Sequence, residues 1–208
     1  MPQPLASLSP SLVDQLVHLD PLFGTILEAH GPAPDWRRPA GFTSLLHIIL
    51  EQQVSLESAQ AAFDRLQARL GTISPPALLS LSDEELRACA FSRQKTRYAR
   101  ELARALISGQ LELEKLGDGE EAQVRAQLCA IKGIGQWTAD VYLIFCLDYP
   151  DIFPVGDIAA INSVKELTGL VDKEAVVRRS QNWRPLRTAA TKMLWHSYLC
   201  RRGRTYGQ

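Results

Sequence analysis

The groups that could do chemistry in this chain concentrate between Leu128 and Asp157. Ile131-Lys132-Gly133-Ile134-Gly135 sets two glycines around one isoleucine. Glycine accepts backbone angles that a side chain forbids, so the run predicts a tight hairpin. It also leaves N–H groups uncovered at the start of the helix that follows. A helix N-terminus, with its unsatisfied N–H groups and positive dipole end, suits a phosphate. Ile134 is placed to pin the hairpin into a core. The second group is one carboxylate, Asp157, which follows Phe153-Pro154-Val155-Gly156. Gly-Asp ahead of a helix is commonly an N-cap. A carboxylate there can also stabilise a developing cation, or orient and deprotonate water. The two roles are compatible, because a cap fixes where the carboxylate points. Asp148 and Asp151 are its rivals nearby.

Helices must position these groups, since almost every segment reads helical. Ser11 to His30 carries apolar residues at helical spacing, broken at Pro21 and stopped by Gly31. A proline-rich connector follows. Phe42 to Gln53 is a strongly apolar helix, and Ser55 caps Leu56 to Leu70 before Gly71. Pro75-Pro76 predicts a short turn. Ser82 with Glu85 predicts a capping box, and Ser92 to Ser108 a basic-faced helix. Gly109 to Gly119 reads as a linker, and Glu120 to Cys129 as the helix entering the hairpin. Gln136 to Leu147 leaves it, and two or three more helices reach about Arg202. No strand alternation persists, so the expected class is all-α.

Composition narrows the function. The 208 residues are 46% hydrophobic, enough to bury a core. No apolar run is long enough to span a membrane. The start, MPQPLASLSP, has neither a basic region nor a hydrophobic stretch, so secretion is not expected. Cys89, Cys129, Cys146 and Cys200 are scattered, which suits reduced thiols rather than a metal site. His18, His30, His47 and His196 are equally dispersed. Net charge is +0, against a globally basic nucleic-acid binder, but ten Lys and Arg face three acids after Asp157. That tail is either a solvated helix surface or a source of phosphate contacts.

Hairpin, Gln136-Trp137-Thr138-Ala139-Asp140, apolar helix, then Pro154-Val155-Gly156-Asp157: this order resembles the helix-hairpin-helix Gly/Pro-Asp superfamily of DNA glycosylases. Within it the chain is most similar to the alkylation-repair, 3-methyladenine DNA glycosylase II type, from about Arg38 to the C-terminus. The resemblance implies that Asp157 is the catalytic carboxylate for cleavage of a C1′–N bond through an oxocarbenium-like transition state. Bifunctional members place a lysine nucleophile just after the hairpin. Trp137 stands there instead, which implies a monofunctional enzyme using water. Trp137 and Trp195 are implied to line a pocket for the everted base, their faces suited to cationic alkylated purines. Val141 falls where some relatives carry a pocket Tyr, and neighbouring Tyr142 is a further pocket candidate. Glu51-Gln52-Gln53-Val54-Ser55 is similar to the family's Gln-Gln-x-Ser element, which makes Gln53 the wedge beside the flipped nucleotide. Ser92-Arg93-Gln94-Lys95 and Tyr98 match a family element of unassigned role, with Lys95 read as a surface residue. Gly133, Ile134, Gly135 and Thr138 are the implied phosphate grip. The carbonyls of Cys129, Ile131 and Ile134 are the implied ligands of a structural Na+ or K+. No other cofactor is expected, and nothing matches the iron–sulfur cysteines of some relatives.

The expected architecture is therefore an all-α, two-lobed helix-hairpin-helix glycosylase domain over 1–208, with the active cleft between lobes. Residues 38–120 with the hairpin and catalytic loop at 121–157 are set against the N- and C-terminal helices as the second lobe. No extra N-terminal β domain is expected. The expected activity is release of 3-methyladenine and 7-methylguanine from duplex DNA by a monomer in the cytoplasm, or in the nucleus of a eukaryote. The rivals are a non-catalytic hairpin module that binds DNA or lesions, and a glycosylase/lyase for oxidised bases.

Overall fold

Why each helix starts and stops is readable at its ends in a computed structural model, which describes residues 8–204 apart from the side chain at position 118. Ser9 caps α1 (Pro10–Leu19), its hydroxyl accepting from Leu12 N. Pro21 separates it from α2 (Leu22–His30), which Gly31 ends at φ +74°. Then come α3 (Phe42–Glu51) and α4 (Leu56–Leu70), the latter capped by Ser55 and stopped by Gly71. α5 (Pro75–Ser80) occupies the predicted turn. Ser74 caps it, and Pro75 at the first position loses nothing because that N–H has no helical partner. The capping box of Ser82 and Glu85 opens α6 (Asp83–Ala88), and Ser92 caps α7 (Arg93–Ile107). The predicted linker contains a 3-10 helix, Leu113–Asp118, tied down by buried Leu111, Leu113 and Leu116. α8 (Glu121–Cys129) and α9 (Gln136–Phe145) flank the hairpin. α10 (Ile158–Thr168), α11 (Lys173–Ser180), a 3-10 turn at Gln181–Trp183 and α12 (Arg187–Cys200) follow. The fold is all-helical, with no strand among the described residues.

The chain divides into two units. Among the described residues, one runs from Arg38 to Leu147, and the other joins residues 8–37 with residues 148–204. The division moves the loop before Asp157, which the sequence reading grouped with the hairpin, into the unit of terminal helices. In the central unit α3 packs against α4, α7 and α9. Leu45, Leu46, Ile48, Ile49 and Leu50 of α3 are wholly buried, each burial favouring folding by about 1.5–3 kcal/mol. In the terminal unit α12 packs against α1, α2 and α10. Trp183 is its largest fully buried side chain, edge-on to Phe23 at 5.2 Å and to Phe153 at 5.6 Å. The indole N–H of Trp183 donates to Asp20 at 2.9 Å, and Arg179 binds the same carboxylate. Burial opposes ionisation of Asp20, but these donors outweigh it and hold the group below the usual carboxylate range.

Candidate functional site

In the terminal unit the backbone turns sharply before Asp157, whose N–H donates to Pro154 O at 2.9 Å. Asp157 is the N-cap of α10: its Oδ1 accepts from Ala160 N at 2.7 Å. The same oxygen accepts from Trp195 Nε1 at 2.9 Å. The carboxylate is 7% exposed and the indole 8%. The preceding loop is held by one stripe of α12. Thr188 Oγ1 donates to Tyr149 O and accepts from Ile152 N, Thr188 N donates to Pro150 O, and Thr191 Oγ1 donates to Ile152 O. Thr188, Thr191 and Trp195 recur at helical spacing and so share a face. A helix surface thus sets the loop and then the carboxylate that ends it.

The rival carboxylates are differently committed. Arg187 grips both oxygens of Asp151, Nε to Oδ1 at 2.6 Å and Nη2 to Oδ2 at 2.9 Å. The Asp148 side chain is 62% exposed and lies 4.0 Å from Lys192 Nζ. Of the three, only Asp157 combines burial with two neutral donors.

In the central unit the two hairpin glycines have different causes. Gly133 sits at φ +100°, and a Cβ there would fall on the ring of Tyr98. The fold itself demands that glycine. Gly135 has φ −93°, and a Cβ there would meet nothing within 4 Å. The chain itself leaves room for a side chain at Gly135. Gly135 is also the N-cap of α9 and brings no side-chain cap to the first turn of that helix. Ile134 is 3% exposed and Ile131 4%, and Ile134 N donates to Ile131 O at 3.0 Å. That carbonyl keeps a second lone pair. Arg125 of α8 binds the buried Asp140 of α9, which locks the two hairpin helices together, and is itself held by Glu121 one turn back on α8.

Trp137 is partly exposed in the first turn of α9. Val141, one turn on, is buried. Tyr142 is a correction to the pocket expectation. It is wholly buried, and its hydroxyl accepts from Gly41 N at 2.9 Å. Burial pushes that phenol well above its ordinary range. It is a core residue that fixes the entry to α3. Gln53 is exposed on the turn between α3 and α4 with φ +57°, a left-handed conformation unusual for a side chain of its size.

A protein-family model described as "HhH-GPD superfamily base excision DNA repair protein" matches residues 46–186, which holds both the hairpin and the capping carboxylate. The chain belongs to the HhH-GPD superfamily. YfjP of Bacillus subtilis, named for a DNA-3-methyladenine glycosylase, is 28% identical over 183 residues, 83% of this chain and 64% of its own length. DNA-3-methyladenine glycosylase 1 of Schizosaccharomyces pombe is 31% identical over 164 residues, 74% of this chain and 71% of that one. Among solved structures, the 3-methyladenine DNA glycosylase Mag1 of the same yeast, in complex with abasic DNA, superposes with TM-score 0.80 at 28% identity. That match covers 89% of this chain and 95% of that one. The chain thus spans just under two thirds of YfjP and somewhat more of the yeast relative.

Within this HhH-GPD chain, sequence reasoning left several positioning residues without a role. Lys95 is half-buried rather than simply solvated: its ammonium donates to Leu50 O at the end of α3. Tyr98 carries the hairpin on its ring. Arg125, Asp140, Thr188 and Thr191 were silent, because their partners are distant in sequence. The basic tail is largely neutralised within the chain. Arg179 pairs with Asp20, Arg187 with Asp151, Lys192 with Asp35, and Arg201 and Arg202 with Glu166. The described residues contain no cluster of three or more His, Cys, Asp or Glu that could hold a metal ion.

Proposed function

We propose that this HhH-GPD protein is a monofunctional DNA glycosylase. It releases alkylated purines, 3-methyladenine and 7-methylguanine first, from duplex DNA and leaves an abasic site. The reading is carried by Asp157, a carboxylate capped into α10 and aimed by Trp195. The names of its relatives and the abasic DNA bound by the yeast neighbour support the same class.

In this reading the hairpin holds a backbone phosphate through the N–H groups around Gly133, Gly135 and Thr138. The carbonyls of Cys129, Ile131 and Ile134 would hold a Na+ or K+, which would add positive charge there. Gln53 fills the gap in the stack while the damaged base stands outside the helix. The C1′–N bond breaks and its electron pair goes to the base, which leaves neutral because alkylation had made it cationic. Positive charge then develops on the sugar, and the Asp157 carboxylate lowers its energy. Water adds to C1′ and gives up a proton, which Asp157 can accept. Little acid catalysis is needed for so good a leaving group. Trp137 offers no amine, so no Schiff base forms at that position.

The test is base release from dimethyl-sulfate-treated duplex, resolved by chromatography, for wild type beside Asp157→Asn. Asparagine keeps an oxygen for Ala160 N and Trp195 Nε1, removes the charge and exchanges the second carboxylate oxygen for an amide NH2. Methylated purines freed by the wild type alone establish the reaction and its carboxylate. Equal release by both overturns the role of Asp157, and release by neither overturns the activity.

A further inference from the structure

We infer that Gln52 is a positioning residue that couples the wedge turn to the hairpin, so that phosphate grip and base eversion operate as one event. The inference rests on the reading of Gln53 and the hairpin given above.

Gln52 is the last residue before the left-handed turn and the C-cap of α3. Its side chain faces the hairpin while Gln53 faces out. The amide Nε2 donates to Gly133 O at 2.9 Å and to Thr138 Oγ1 at 2.8 Å. The orientation is dictated, because a carbonyl can only accept and the amide oxygen would repel it. One planar group therefore bonds both the hairpin turn and the first turn of α9, from a residue 81 and 86 positions away. Two more contacts brace the same place from α7. Lys95 caps the Leu50 carbonyl at the end of α3, and Tyr98 supports Gly133. Both partners of the Gln52 amide are buried or half-buried, where an unpaired carbonyl is costly.

The two linked elements have different tasks on DNA. The hairpin holds a phosphate whether or not the base is damaged. The wedge acts only where a base leaves the stack. A rigid bridge between them means that a phosphate seated on the hairpin fixes where Gln53 enters. Removal of the bridge should leave each element functional and make them independent.

A double-mutant cycle reads that independence. Gln53→Ala weakens the wedge, and Gly135→Ala crowds the phosphate position in space the fold leaves open. Affinities for a duplex with a tetrahydrofuran abasic analogue are measured for wild type, both single variants and the double variant. The cycle is repeated in a Gln52→Leu background, with melting curves for every protein. Gln52→Glu, the same size but without the donor, replaces Gln52→Leu if leucine prevents folding. We expect the two substitutions to be non-additive by threefold or more with Gln52 present, and additive within about 1.5-fold without it. Coupling that persists without Gln52 overturns this inference alone. Additivity in the wild-type background also overturns it. If Gly135→Ala leaves affinity unchanged, the hairpin reading fails and takes this inference with it.

Discussion

The indole N–H of Trp195 and the backbone N–H of Ala160 converge on one oxygen, Oδ1 of Asp157, at 2.9 and 2.7 Å. Two donors on one oxygen fix the carboxylate plane. Trp195 thus aims the carboxylate, whatever else its face does. Trp195→Phe keeps an aromatic face and loses the donor. Base release should fall about tenfold, with a stability loss of about 1.5–3 kcal/mol for a hydrogen bond to a charged group. Single-turnover release and urea unfolding measure the two. Unchanged release would show that Ala160 N suffices to hold Asp157.

The hairpin glycines should separate by phenotype. Gly133→Ala forces φ +100° on a side chain and drives it into Tyr98, at a cost of about 2–4 kcal/mol. Gly135→Ala costs under about 1 kcal/mol, as a weaker N-cap, yet should weaken duplex binding about tenfold. Melting and fluorescence anisotropy on the same samples decide the matter. The reverse pattern would refute the assignment of Gly135 to the phosphate.

Arg125 and Asp140 form the clamp between α8 and α9. Arg125→Ala leaves a buried carboxylate without its main partner, a loss of about 3–5 kcal/mol. Arg125→Ala with Asp140→Asn should recover part of it. Urea unfolding of wild type and the two variants tests this, and a double variant no more stable than Arg125→Ala would argue against the pair as the source.

Glu51 gives a pH signature. Burial pushes its carboxyl up to about 7, against the opposing pull of Arg38 and Lys95. A carboxyl raised in the folded state binds its proton more tightly there than in the unfolded chain. Stability from this group is therefore present below about pH 4.5 and is lost as pH rises through 7. Wild type should lose up to about 3 kcal/mol between those values relative to Glu51→Gln. Denaturant midpoints at pH 5, 6, 7 and 8 measure the difference, and parallel curves would place the Glu51 carboxyl in its ordinary range.

Thr188→Val removes the hydroxyl that meets Tyr149 O and Ile152 N. The loop loses part of its attachment to α12, so base release should fall more than duplex affinity does. A split between the rate at saturation and the binding constant checks this. A loss confined to binding would detach this loop from the chemistry.

The helix ends were legible from sequence because caps and stops are local. Ser55 with Gly71 and Ser82 with Glu85 set their helices by bonds within a few residues. The hairpin and Asp157 were legible for the same reason, since backbone angle and capping depend on neighbours along the chain. A short helix behind Ser74-Pro75 was missed where the prolines were read as a turn, although Pro at the first helical position is permitted.

Sequence by itself thus determined which residues are chemically capable: the carboxylate, the hairpin glycines, the indoles and the absence of an amine at Trp137. Only the tertiary structure decided how they are held. Trp195 meets Asp157 from 38 positions away, and Gln52 meets Gly133 from 81. Tyr142 went to the core, and the basic tail was consumed largely by ion pairs. The physical reason is range. Backbone conformation is governed by adjacent side chains, whereas hydrogen bonds and ion pairs across a packed interior depend on which helix faces meet.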